Sequence, residues 1–211
     1  MFTIISNETN LGLGPALAKG IVTSRNELIA RMDSDDISEK TRCEKQLLAF
    51  EKDTDLEMVG SFEAEFIGEK DNVVSIHRVP ETHSDIAKFM RRRCAILHPT
   101  VMYKKSAVIR SGNYHSVPLY EDYDLFARMV LEYNVRSYNI QENLYYIRTS
   151  EDFFKRRGGL KYAKTVLNFK WKQHEKGYMS LADFCISGLG QAFVCVLPNS
   201  LRKVIYLKLL R

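Results

Sequence analysis

An apolar run at residues 28–32 (LIARM) ends with no spacer in Asp33-Ser34-Asp35-Asp36. Carboxylates this close repel one another, so they are tolerated where they face water or a cation. A short apolar run bounded by polar residues reads as a buried strand. In an open α/β sheet, ligands collect beyond the carboxyl ends of the strands, which is where this acidic turn would sit. Two readings stay open. Asp33 and Asp35 could join phosphate oxygens around a hard divalent ion, Mg²⁺ or Mn²⁺. Equally, the turn could be a solvated acidic stretch leading into the next helix, with Ser38 as its N-cap.

The rest of the chain alternates in the same way. Residues 2–6 (FTIIS) read as a strand, followed by the glycine-rich turn Asn10-Leu-Gly12-Leu-Gly14-Pro15 and a helix to about residue 24 that turns Leu17 and Ile21 inward. A helix over 39–50 should bury Leu47, Leu48 and Phe50. Short strands are expected within 56–79 around Asp71-Asn72. A basic helix over 85–93, a strand over 99–103 and a helix over 105–110 come next. An amphipathic helix from residue 121 should bury Leu125, Phe126, Met129, Val130 and Tyr133. Strands over 135–138 and 144–147 close the pattern. This predicts an α/β domain over 1–150. From 151 to 211 a basic, partly apolar helical tail is expected, broken at Gly158-Gly159 and Pro198.

Composition narrows the function classes. With 211 residues, 45% hydrophobic and 27% charged, the chain suits one soluble domain rather than a disordered, collagen-like or multi-span protein. Residues 151–211 hold twelve Lys/Arg and four Asp/Glu, a net of +8. The whole chain is +5, so residues 1–150 carry −3. A basic tail suits an anionic partner, and its neighbouring apolar stretch at 184–197 is shorter than the roughly 20 residues of a membrane span. Peripheral attachment to an anionic membrane surface is therefore expected, on the cytoplasmic side given four unpaired-looking cysteines and no leader-like start. Basic residues beside an apolar segment, not among stacking aromatics, argue against nucleic acid. No metal-ligand histidine spacing, P-loop, dinucleotide fingerprint or nucleophile elbow is present.

A second acidic feature, Glu121-Asp122, sits where the 121 helix begins. The positive end of a helix favours an ionised carboxylate, which can take a proton from a hydroxyl. Asp124 lies roughly 200° further round, so Asp122 and Asp124 cannot face one cleft together. Simple N-terminal capping by acids is the alternative.

Taken in order, these segments resemble bacterial family 2 glycosyltransferases of the GT-A fold, of the capsular or surface-polysaccharide type. The matching stretches are Asn10-Leu-Gly-Leu-Gly14 with Ala18 and Gly20, then residues 29–38 (IARMDSDDIS) with Arg42 and Gln46. His98-Pro-Thr-Val-Met-Tyr103, Glu121-Asp-Tyr-Asp-Leu125 and Tyr145-Tyr-Ile-Arg148 complete them. The resemblance implies a Rossmann-related mixed sheet and an inverting, metal-dependent transfer of a sugar from a nucleotide-sugar donor, a UDP-sugar, to a glycan or lipid-linked acceptor. It implies Asp33 and Asp35 on the metal, and Asn10, Arg31, Asp33 and Ser34 on the donor. Asp122 becomes the general base, with Glu121 and His98 on the acceptor side. Two departures follow from the same resemblance. The family's first strand-helix-strand unit, which grips uracil and ribose, is expected to be absent before Phe2, leaving a non-catalytic fragment or pseudoenzyme as the rival reading. Thr149-Ser150 stands where many relatives carry a third, histidine metal ligand.

Overall fold

The structure is a computed structural model that describes residues 3–149, 158–199, 201–202 and 205. Asn10 accepts a hydrogen bond from the Gly12 amide at 2.9 Å, and Gly12 takes φ 82°, which starts helix α1 (Leu13–Thr23). A Cβ on Gly14 would lie 2.4 Å from the His115 carbonyl oxygen, so only glycine lets the start of α1 seat against that loop. Strand β1 (Leu28–Ala30) and the two-residue β2 (Ile37–Ser38) bracket the acidic turn. After helix α2 (Arg42–Lys52) come β3 (Met58–Phe66), β4 (Val73–His77), helix α3 (His83–Met90), β5 (Met102–Lys104) and helix α4 (Lys105–Arg110). Helix α5 (Glu121–Ala127) runs on as a π-helical turn, Arg128–Glu132, before the long β6 (Ser137–Arg148). Helix α6 (Leu160–Glu175) is followed by one continuous rod of α7 (Leu181–Asp183), a π-helical stretch (Phe184–Leu189) and α8 (Gly190–Val196).

The expected α/β class holds. The strands form one mixed, six-stranded sheet in the order β1-β5-β3-β6-β2, with β4 also on β3. Among the described residues, only the β3–β6 pair is parallel. Neighbouring strand residues point to opposite faces. Met58 and Tyr103 enter the main core beneath α1, α3, α5 and α6, whereas Val59 and Met102 pack on the α2 side with Phe50, Leu56, Ile140 and Leu144.

Several expectations are corrected. Thr3–Ser6 pairs with no strand, while Phe2 lies outside the described residues. Ser38 is a strand residue and not an N-cap, because it pairs with Tyr145; the helix begins at Arg42. Leu47 and Leu48 stay 41% and 45% exposed. The inward row of α2 is Arg42, Gln46 and Phe50, spaced four apart, and its two polar members are buried because they find partners. Arg42 Nη1 donates to the Arg31 and Pro99 carbonyls at 3.0 and 2.8 Å. Gln46 Nε2 donates to those of Val59 and Thr100 at 3.0 and 2.8 Å. His98–Thr100 forms a 3₁₀ turn, so β5 starts later than expected. The two late strands are a single β6 whose register shifts opposite Phe62.

The described residues after 157 are helical as expected, and they also share the main core through Ala163, Val166 and Phe169. Lys170 is buried there, donating to Tyr123 Oη at 3.3 Å and to the Arg92 carbonyl.

Replacing Gln46 by Leu keeps the volume but removes the side-chain donor from the Val59 and Thr100 carbonyls inside the protein. Urea denaturation should give a loss of about 1–3 kcal/mol, with an unchanged m-value; an unaltered midpoint would remove Gln46 from this role.

Candidate active site

The acidic turn is tied down from three sides. The Arg31 amide donates to the Val101 carbonyl at 3.0 Å, extending the strand pairing to the edge of the turn. The Asp33 amide donates to Tyr145 Oη at 2.9 Å. The Arg148 amide donates to Asp36 Oδ1 at 2.9 Å, and its guanidinium reaches the Gly68 and Asp35 carbonyls at 2.9 and 3.4 Å. Tyr145 and Arg148 both lie on β6, one reaching the turn with its hydroxyl and the other with its backbone amide, so the turn rests on a strand more than a hundred residues away in sequence. Asp36 is drawn in, and burial raises its pKa above the usual carboxylate value. Ser34 and Asp35 are exposed and the Asp33 side chain is 41% exposed.

Arg31 joins this turn to the second acidic feature. It is 8% exposed, and its Nη2 donates to Asp33 Oδ1 at 2.5 Å. Its Nε and Nη1 are buried with no partner. Its positive charge is felt at Asp122, His98, Tyr103 and Tyr114.

Asp122 lies in the first turn of α5, partly exposed yet surrounded by protein. Burial pushes its pKa to about 6, and the neighbouring Glu121 adds to this. The Tyr123 amide and Arg31 oppose it. Oδ1 accepts from the Tyr123 amide at 2.7 Å, which leaves Oδ2 to receive a proton. Asp124 points elsewhere, as the helical spacing requires. It is 3% exposed and ion-paired with Arg128 at 2.9 Å, Lys176 at 3.1 Å and His115 at 3.2 Å. Arg128 in turn donates to the Ser111 and Asn113 carbonyls.

The remaining expected site residues divide. Glu121 sits beside Asp122, with Gly14 packed against its Cβ direction. Asn10 is exposed and uses its side-chain oxygen on Gly12. The imidazole of His98 touches protein and not an open cleft: Nε2 meets Tyr114 Oη at 2.9 Å and the ring packs edge-on against Phe126. Burial lowers its pKa to about 3, so it is neutral. Among the described residues, no three His, Cys, Asp or Glu side chains group so as to hold a metal. Sequence reasoning gave no role to Arg42, Tyr145 and Arg148, although all three stand in the stretches that carry the resemblance.

A model of glycosyl transferase family 2 matches residues 1–115, and a curated relative in Escherichia coli is 36% identical over 97% of this chain. The chain belongs to glycosyl transferase family 2. That relative is a UDP-Gal:alpha-D-GlcNAc-diphosphoundecaprenol beta-1,3-galactosyltransferase, of which the chain spans 74%. The amylovoran biosynthesis glycosyltransferase AmsE of Erwinia amylovora is 33% identical over 77% of the chain and 60% of its own length. Among solved structures, mannosyltransferase PcManGT from Pyrobaculum calidifontis, in complex with GDP-Man and Mn²⁺, matches with TM-score 0.55 and 12% identity. It covers 96% of this chain and 61% of the solved one. The S. aureus TarS fragment 1–349 matches with TM-score 0.52 and 17% identity over 77% of this chain. This chain spans 47% of that fragment. The fold is therefore that of the GT-A glycosyltransferases. The family match ends before Asp122, whereas the E. coli relative aligns over almost the whole chain.

Asp122 yields a sign-definite prediction. Its folded pKa of about 6 lies above the ordinary 3.8, so between these values the folded protein keeps a proton that the unfolded chain has lost. Stability from this group is full below about pH 4 and falls as pH rises towards 6. Asp122→Asn, which retains an oxygen for the Tyr123 amide, should thus be about 1–3 kcal/mol more stable than the parent at pH 7. Thermal melts at pH 4 and pH 7 should show the gap closing at the lower pH. A variant that is less stable at both would refute the burial argument.

Proposed function

We propose that this chain carries the catalytic half of a transfer in which a sugar passes from a nucleotide-sugar donor to a hydroxyl of a glycan or lipid-linked acceptor, with inversion, during surface polysaccharide synthesis. The observation that carries this is Asp122: a carboxylate at a helix start, desolvated to a pKa of about 6 and aimed apart from the structural Asp124. A general base works best with a pKa near the working pH, and this one is mostly ionised at neutrality. The acceptor hydroxyl attacks the anomeric carbon from the face opposite the leaving group. Its proton passes to Asp122 Oδ2 as the new carbon–oxygen bond forms. The bond to the donor diphosphate breaks, and the nucleoside diphosphate leaves with that electron pair.

Asp33 and Asp35 offer hard oxygen ligands from one turn. Such a donor set fits Mn²⁺ or Mg²⁺, which take one or two protein carboxylates and complete their shell with phosphate and water oxygens. A bound divalent ion would absorb the charge developing on the leaving diphosphate. Arg31 would do the same with its two unpartnered nitrogens, Nε and Nη1, while Ser34 and Asn10 border the donor side. Glu121 is assigned to the acceptor side of Asp122, whereas His98, neutral and packed on Tyr114 and Phe126, takes part only as a support of the site's wall. The family, the polysaccharide-synthesising relatives and a same-fold structure holding a nucleotide sugar with Mn²⁺ all support this reading. The rival, a fold that binds donor weakly and transfers nothing, is favoured by the Asp33 carboxylate's engagement with Arg31.

Titration with UDP and Mn²⁺ separates the two. Binding that needs the metal, and is lost in Asp33→Ala and Asp35→Ala while circular dichroism is unchanged, is expected; equal affinity in parent and variants would remove the metal assignment. For transfer, kcat/KM should fall as pH drops below about 6. Asp122→Asn should lower kcat by roughly 10²–10⁴ with little change in UDP affinity. Asp124→Asn should instead lower the melting temperature, since it strips the counter-charge from buried Arg128. If the two variants reverse these behaviours, Asp122 is not the base.

A further inference from the structure

The rod formed by α7, the π-helical stretch and α8 has its polarity turned inside out. Its polar side chains face the protein and are satisfied there. Asp183 caps against Ser180 and pairs with Arg92 at 2.5 Å. Ser187 donates to the Asp183 carbonyl at 2.8 Å, and Gln191 reaches Tyr120 Oη at 3.4 Å. The outward side is apolar: Ile186, Leu189, Phe193 and Val196 are 60, 50, 64 and 47% exposed, with Leu181 and Leu201 at its ends. Between Asp183 and Arg202 the sequence has no charged residue at all, and Arg202 is itself buried, donating to the Cys195 carbonyl at 3.0 Å. Soluble proteins scatter exposed apolar residues singly, so a continuous stripe along four turns marks a surface that meets a partner or a membrane.

We infer that this stripe is a membrane-docking face, seated in the interfacial layer of an anionic lipid bilayer with the rod lying parallel to it. Three observations select lipid as the occupant. Among the described residues no helix is long and apolar enough to cross a membrane, so the rod suits lying on a bilayer, not spanning it. Helix α6 packs along the rod and presents Lys161, Lys164 and Lys172 outward, within a segment of net +8 that complements an anionic surface. Trp171, the chain's single tryptophan, is 44% exposed at the edge of the stripe and stacks edge-on against Phe184 at 5.2 Å. Indole at the margin of an apolar face is the arrangement favoured at a headgroup boundary. The contact differs from attraction by charge alone, because the apolar stripe supplies a component that salt does not screen. It stands independently of the transfer reaction proposed above, although a lipid-linked acceptor would be presented at the same boundary.

Trp171 makes the test direct. The protein is mixed with vesicles of phosphatidylethanolamine and phosphatidylglycerol, or of phosphatidylcholine alone, and followed by flotation and by tryptophan emission. Expected are flotation with the anionic vesicles, a blue shift of Trp171, quenching by lipids brominated near the headgroup, and binding that is weakened but not abolished by high salt. Phe193→Ser should weaken partitioning about ten- to hundred-fold, as expected for one large apolar side chain. Leu119→Ser, an equally exposed apolar position elsewhere, should leave it unchanged. Folding of each variant is checked by circular dichroism, and UDP titration is unaffected by Phe193→Ser. No flotation with the anionic vesicles, or flotation unaltered by Phe193→Ser, overturns the inference. So does a concentration-dependent dimer that Phe193→Ser dissociates, which would make a second copy the occupant of the stripe.

Discussion

A buried guanidinium sets the geometry on which the acidic turn depends. Arg42, 3% exposed, reaches from α2 through the sheet edge to bind the carbonyl of Arg31 and that of Pro99. One hydrogen-bonding fork therefore fixes the end of β1 against the 3₁₀ turn that carries His98. Its plane lies over the Tyr145 ring, 5.3 Å from the centroid, and Tyr145 receives the Asp33 amide. Helix, strand end and turn thus share a single polar anchor, and Gln46 repeats the device one helical turn later. Arg42 Nε and Gln46 Oε1 stay buried without a partner, so the carbonyl contacts that the two side chains do make are what specify one arrangement, since any slip would strand those groups too out of reach of water.

The two acids of α5 illustrate how one helix turn can serve stability and chemistry at once. Asp124 is buried beside two cations, Arg128 and Lys176, with His115 at 3.2 Å, and the two cations hold its pKa below the ordinary value despite burial. Asp122, two residues earlier, is deprived of such partners and rises instead. The same backbone presents both, so the strongly paired acid fixes the aim of the weakly paired one. A carboxylate left short of compensation costs stability, and proteins keep such groups where chemistry requires them.

Local signals were the legible ones. The strand before Asp33, the helix from Glu121 and the opposed directions of Asp122 and Asp124 follow from spacing within a few residues. The helix over Arg42–Lys52 is legible but its inward face is not, because periodicity reads apolarity and here two of the three buried residues are polar, paired with carbonyls up to 57 residues away. Polar Gln141-Glu142-Asn143 reads as a break, whereas in the sheet it is an irregularity within one long strand. The role of Arg31 as a link between the acidic features is likewise invisible locally, since it depends on how β1 and α5 are brought together. The sequence of the last rod leaves a core helix and an interfacial segment both open, and only its packing against α6 and Tyr120 shows which side chains turn inward.

The contrast in how the two acidic features are anchored has a mechanical consequence. Opening the first turn of α5 means separating Asp124 from three partners while exposing Leu125 and Phe126, both 0% exposed. That places the turn carrying Asp122 among the last parts of the molecule to open. Residues 33–36 hang from a few hydrogen bonds at the rim of the sheet, with Ser34 and Asp35 bare to solvent. The two acidic features are thus held by different means, Asp122 by ion pairs and core packing beneath its helix, and the 33–36 turn by single hydrogen bonds to Tyr145 and Arg148.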